Sequence, residues 1–210
     1  MSYLLRVALP DVPGSLGRLA TAVGAAGGNI DAIEIVEHDG DGRVIDDVFL
    51  NSEAGVMPDT IVSACTSLDG VEVLWISRYA AGTNLTRDLE VVEAMTTHPE
   101  RARDTLVDLL PAAFVIDWAA RVRREGEGAK VLHGTPAAPN EIPEELRWPD
   151  GIDRGARIDL PEHLGDLLVA GCSLPEDEMV VMARRGGPEI LDSEIARLSH
   201  LVGLAVSIGR

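Results

Sequence analysis

Aromatic residues are scarce: Phe, Tyr and Trp together make up 3% of the 210 residues. Any core must therefore be filled by Val, Leu, Ile and Ala, and a hydrophobic content of 46% is enough to do so. Long apolar runs are also missing. None reaches the roughly 18 residues that a membrane-spanning helix needs. The start, Met1-Ser2-Tyr3-Leu4-Leu5-Arg6, has no basic stretch leading into an apolar one, so no secretory leader is expected and the cytoplasm is the expected location. Positive charge is in short supply, and the net charge is −17. That balance opposes binding to nucleic-acid phosphates and to anionic membrane surfaces. The two cysteines, Cys65 and Cys172, sit in apolar runs and read as buried thiols rather than a disulfide. The five histidines are scattered, with no H-x-x-x-H or C-x-x-C pair, so neither metal nor cofactor is expected.

What is present begins with a regular alternation of elements. Residues 3–9 read as a strand, broken by Asp11-Val12-Pro13-Gly14. Leu16, Leu19, Ala20 and Val23 follow at helical spacing, and Gly27-Gly28 ends that helix. Ile30, Ile33 and Ile35 mark a second strand, His38 to Gly42 a hairpin turn, and Val44 to Leu50 a third strand. Pro58 and Asp59 open a helix carrying Ile61, Val62, Cys65 and Leu68, which Gly70 closes before a strand from Val71 to Tyr79. The order is βαββαβ, a ferredoxin-like split unit.

A boundary is expected at Gly82-Thr83-Asn84. Beyond it, Leu85, Leu89, Val92 and Met95 form one helical stripe. Thr97 is placed to cap a second helix with Pro99 in its first turn and Ala102, Leu106, Leu109 and Leu110 along it. Strands are expected over Phe114 to Val122, Lys130 to His133, Ala156 to Leu160, Leu167 to Ser173 and Met179 to Ala183. Thr135 to Asp150 reads as a long loop, and Pro175-Glu176-Asp177 as a hairpin turn. Asp192 or Ser193 is expected to cap a last helix that buries Ile195, Leu198, Leu201, Val202 and Ala205.

The strongest chemical signal is Asp11-Val12-Pro13-Gly14-Ser15-Leu16. Pro13 presets one backbone angle, and Gly14 allows close approach. The helix that starts here points free N–H groups and its positive dipole end at the turn. A carboxylate docked on those N–H groups, with an ammonium on Asp11, gives the polarity of an α-amino acid. The alternative is that Asp11 only caps the helix and Pro-Gly only turns the chain; the residues alone leave both open. Gly24-Ala25-Ala26-Gly27-Gly28-Asn29 follows a helix rather than a strand and is not a nucleotide loop. Asp39, Asp41, Asp46 and Asp47 lie near one another, but Asp39-Gly40-Asp41-Gly42 lacks the further ligands and the closing Glu of a calcium loop, and the cluster reads as a solvated turn. Cys172 and Ser173 lack a nucleophile-elbow context. His133, His163 and His200 show no catalytic spacing. Arg184-Arg185-Gly186-Gly187 reads as a solvated turn, with an anion or interface contact as the alternative.

These residues carry a resemblance. Residues 3–79 resemble the ACT domain, a regulatory amino-acid-binding module: Asp11 to Leu16 match its D-x-P-G-x-L turn, and Leu19, Gly24, Gly27 or Gly28, Asn29 and Ile30 match the stretch that follows. The resemblance implies dimers that bind an amino acid between the first turn of one module and the second-strand start of another. It names Asp11, Val12, Pro13, Gly14, Ser15 and Leu16 with Asn29 and Ile30 as ligand-binding. Residues 84–210 resemble a GAF-type sensory domain through two opening helices, antiparallel strands, and the ending from Val181 to Glu194. The bilin-binding cysteine and the N-K-F-D-E signature of some GAF members have no counterpart. A pocket there is expected between the sheet and the loop 134–150, with Phe114, Trp118 and Trp148 as lining residues or plain core.

The expected fold is α+β: a ferredoxin-like βαββαβ ACT domain over residues 1–81, then a GAF-like α/β domain with a central antiparallel sheet over residues 84–210. The expected function is that of a non-catalytic, stand-alone regulator of the actinobacterial kind. It binds a small-molecule amino acid, works as a homodimer, and acts on a regulated protein partner. The alternatives are an enzyme with a catalytic C-terminal half and a ligand-free dimeric scaffold.

Overall fold

The computed structural model describes residues 1–38, 41–78, 84–126, 128–142, 155–161 and 165–210. The chain divides into two compact units, Met1–Thr83 and Asn84–Arg210. No helix among the described residues is long and apolar enough to cross a membrane.

In the first unit the elements are β1 (Ser2–Pro10), α1 (Ser15–Ala25), β2 (Gly28–His38), β3 (Arg43–Ser52), α2 (Pro58–Thr66) and β4 (Glu72–Arg78). They form a four-stranded antiparallel sheet in the order β2-β3-β1-β4, the ferredoxin-like arrangement. Successive side chains of a strand point to opposite faces. Tyr3, Leu5, Val7 and Leu9 of β1 therefore pack with Val44, Val48 and Leu50 of β3 against Leu19 and Val23 of α1 and Ile61 and Cys65 of α2. Gly27 is left-handed (φ 83°). A Cβ there would lie 2.8 Å from Val56 Cγ2, and one at Gly28 would lie 2.7 Å from Val23 Cγ1. The α1–β2 junction is tight enough to require both glycines.

The second unit contains α3 (Asn84–Thr97), a 3-10 turn (Pro99–Arg101), α4 (Ala102–Phe114), β5 (Trp118–Glu125), β6 (Gly128–Gly134), β7 (Ala156–Ile158), β8 (Leu167–Leu174), β9 (Glu178–Arg185) and α5 (Asp192–Ile208). The strands form one antiparallel sheet in the order β6-β5-β9-β8-β7. The helices bury Met95, Leu106, Leu110, Leu198 and Val202 against one face of it, lined by Ala119, Ala170, Cys172, Val180 and Met182. On the other face Trp118, Ala120, Val122, Met179 and Val181 pack with Ile142 and Ile158.

Several local expectations need correction. Phe114 ends α4 instead of opening a strand, because the stripe Leu106, Leu110, Phe114 continues at helical spacing. Val115 then takes the left-handed conformation (φ 51°), and β5 begins at Trp118. Thr97 is the last residue of α3, where its hydroxyl donates back to Glu93 O rather than capping α4. Asp192 and Ser193 do not cap α5. The Glu194 carboxylate accepts the Leu191 N–H instead, at 2.8 Å. The run Arg184-Arg185-Gly186-Gly187 is not simply a solvated turn. Arg184 is buried and donates to Glu194 Oε1 (2.8 Å), Phe114 O (2.9 Å), Val115 O (3.2 Å) and Pro188 O (3.3 Å). It ties the end of α4 to the start of α5, while Arg185 is exposed. Tyr79, Asp39, Gly82, Trp148 and His163 lie outside the described residues.

Arg184→Ala removes one partner of a buried ion pair and uncovers several carbonyls. The expected cost is about 3–5 kcal/mol, read as a lower urea midpoint. Arg185→Ala on the exposed neighbour is expected to change it by less than about 0.5 kcal/mol.

Candidate ligand site on the first unit

The turn between β1 and α1 is built from the backbone. Asp11 N–H donates to Gly42 O (3.0 Å), Val12 N–H to Pro10 O (2.9 Å) and Ser15 N–H to Val12 O (3.2 Å). Gly14 occupies the N-cap position in the left-handed conformation (φ 90°, ψ −8°), and no side chain caps the helix. Asp11 therefore does not cap α1, while Pro13 and Gly14 do turn the chain. Its carboxylate is on an exposed residue, next to a helix end whose first N–H groups have no intrahelical partner. Pro13 and Gly14 are exposed, Ser15 is buried, and Val12 and Leu16 are 53% and 38% exposed. A Cβ on Gly14 would meet nothing within 4 Å, so the space in front of the turn is open.

Asn29 and Ile30 lie elsewhere. Asn29 pairs with Asn51 of β3, which also pairs with Ser2 at the beginning of β1. The turn, by contrast, follows Pro10 at the end of β1. The two groups are separated by the length of β1, on the order of 25 Å at strand rise. One chain does not bring them together.

The structure also corrects the reading of the acidic cluster. Asp46 and Asp47 belong to β3 and are buried. On the face away from the helices, Asp47 is paired across the strands with Arg6 of β1 through two bonds, Nε–Oδ1 at 2.7 Å and Nη2–Oδ2 at 2.8 Å. Asp46 is on the helix-facing side, opposite Val7 in β1 and Ile35 in β2. It is fully buried, and neither carboxylate oxygen has a hydrogen-bond partner. Burial pushes its pKa up to about 6, with the charges of Asp47 and Asp11 adding to the effect and His38 opposing it. The available signal was the pattern itself: two acids inside the apolar run Val44 to Leu50. Their closeness to a glycine-rich turn hid it.

In the second unit the expected pocket lining does not assemble. Phe114 packs with the helices on one face of the sheet, and Trp118 lies in the core on the other. A cleft of about 930 Å³ lies along α5 and the β7–β8 edge, lined in part by Arg157, Cys172, Ser199 and His200. Cys172 is not an activated nucleophile there, since burial raises its pKa despite a hydrogen bond from Ser199. In the first unit, burial pushes the Cys65 thiol up to about 11. His133 on β6 contacts Asp108 of α4 at 2.7 Å. Among the described residues no cluster of His, Cys, Asp and Glu is arranged to hold a metal.

The fold of the first unit agrees with a family comparison. Residues 3–60 match the ACT domain family. This segment is an ACT domain. The match stops before β4, which completes the ferredoxin-like sheet. No curated protein matches the chain. Among solved structures, a formyltetrahydrofolate deformylase from Pseudomonas putida shares 8% identity at a TM-score of 0.30, over 47% of this chain and 39% of that one. An unknown protein from Galdieria sulphuraria shares 12% identity at a TM-score of 0.33, over 95% of this chain and 90% of that one.

The electrostatics of the ACT domain carry a pH prediction. The folded-state pKa of Asp46 is raised, so its contribution is most favourable below about pH 4 and is lost as pH rises toward about 6. The loss is on the order of 2–3 kcal/mol. Asp46→Val matches the neighbouring valines and is expected to raise stability at neutral pH and to flatten the pH dependence of the urea midpoint across that window. A variant with the same pH profile as wild type would show that Asp46 is not the group titrating.

Proposed function

We propose that the protein is a non-catalytic cytoplasmic regulator whose ACT domain binds an amino acid and whose dimer or domain arrangement responds to it. The observation that carries this reading is the turn itself. An uncapped helix N-terminus, held open by left-handed Gly14, stands beside the exposed carboxylate of Asp11. Partial positive charge and full negative charge side by side suit a zwitterion: the carboxylate goes to the N–H groups and the ammonium to the acid.

The separation of Asn29 and Ile30 from the turn supports a homodimer. A site that uses Asp11 to Leu16 together with Asn29 and Ile30 needs the turn from one copy and the strand start from another. Residues 84–210 are read as a GAF-like unit, on the support of two opening helices, an antiparallel sheet and a returning α5. The output then passes to a partner protein. Binding biases the arrangement only to the extent that the ligand prefers one state over the other.

The test is a thermal-shift screen against the proteinogenic amino acids. A ligand at about one hundred times its Kd adds about 2.7 kcal/mol, which for a chain of this size raises Tm by roughly 5–10 °C. Gly14→Asp is expected to abolish that shift while leaving the fold intact. Asp tolerates left-handed backbone better than most residues, and the space around Gly14 is open. A screen with no stabilising amino acid, or a shift that survives Gly14→Asp, would contradict the site.

A further inference from the structure

Asp46 is the one described carboxylate with both oxygens buried and unpartnered. Its neighbour in sequence, Asp47, shows how this fold treats a buried acid that has a structural purpose: a bidentate Arg6 meets it on the opposite strand. Asp46 has no such counter-ion. The charged groups near it are Asp47 and Asp11, both acidic, and His38. Uncompensated buried charge is costly. A site built this way is complementary to a cation that arrives from outside.

Its position links it to the turn. β3 pairs Arg43 with Pro10, the residue before Asp11. Asp46 is three residues further along the strand, about 10 Å from that level, and on the face that carries α1. Asp11 is close enough for its charge to act on Asp46. Ile35, the residue directly opposite on edge strand β2, is 51% exposed. The residue beside Asp46 on the edge strand therefore borders solvent.

We propose that Asp46, backed by Asp11, receives the ammonium group of the ligand, so that this ACT domain selects primary amines over the otherwise identical oxo acids. The assignment rests on the turn as the ligand site and deepens it. The ammonium reaches Asp46 from the β2 edge beside Ile35, and the charge of Asp11 adds to the attraction. Val7, Val44 and Val48 form apolar surroundings in which a charge-assisted hydrogen bond is strong.

The experiment is a thermal-shift and calorimetric series on the full chain. Its probes are the amino acids, their 2-oxo acid counterparts, and ethylammonium chloride against potassium chloride at equal ionic strength. Each is run on wild type, Asp46→Asn, Asp11→Asn and Gly14→Asp. The expected result is stabilisation by an amino acid but not by its oxo acid, with affinity falling roughly tenfold or more in Asp46→Asn and less in Asp11→Asn. Asp11 is exposed, so that variant reports on the site even if Asp46→Asn misfolds. A specific ethylammonium effect that Asp46→Asn removes supports the cation site even where no amino acid binds, which would overturn only the amino-acid reading. An amino-acid shift that Gly14→Asp abolishes and Asp46→Asn leaves intact overturns the role of Asp46 and keeps the turn. If neither amino acids nor ethylammonium stabilise wild type, both fall.

Discussion

The candidate site depends on the crossover from β1 through α1 to β2. β1 ends at Pro10, α1 returns antiparallel to it, and β2 starts level with the first residues of β1 but across β3 from them. An 11-residue helix spans about 16 Å. The turn at its beginning and the strand start at its end are held apart by a rigid element packed through Leu19 and Val23. On the proposed reading, this rigid separation of two half-sites is what calls for a second copy of the chain.

The electrostatics of β3 sharpen the description. Two adjacent carboxylates point to opposite faces of one sheet because strand side chains alternate. Asp47 finds Arg6 and becomes part of the framework. Asp46 finds apolar neighbours and a second acid, and burial raises its pKa to about 6. The same backbone thus produces one satisfied charge and one unsatisfied one. Natural folds keep unsatisfied buried charge mainly where binding or switching uses it.

The alternation of elements in the first unit was legible because short apolar runs are punctuated by turn residues: Tyr3 to Leu9 is broken by Pro10 to Gly14, and Leu16 to Val23 keeps helical spacing up to Gly27-Gly28. Asp46 and Asp47 were not. The strand from Val44 to Leu50 is expected, but acids beside Asp39-Gly40-Asp41-Gly42 look like a continuation of a solvated turn, and only pairing to β1 and β2 shows which face each carboxylate takes and that both are buried. Phe114 was misplaced for a related reason. The apolar run crosses the helix end without a glycine, and a left-handed valine makes the break. The turn stands out by its pattern of Pro-Gly before a helical stripe, but that pattern alone leaves a plain turn and a ligand site both open, and the family resemblance names the residue set. That they lie a strand-length from Asn29 follows from pairing register, which composition and periodicity do not encode.

Mixed dimers test the central claim, a site shared between two copies, most directly. A Gly14→Asp chain lacks a working turn, and an Asn29→Ala chain lacks a working strand start, so each alone is expected to bind nothing. Co-expressed, they form heterodimers that retain one intact site. Native mass spectrometry in an amino-acid mixture is expected to find one bound amino acid on the heterodimer, none on either variant homodimer and two on wild type. A heterodimer with no bound amino acid, or an Asn29→Ala homodimer that still binds two, would contradict a site shared between copies.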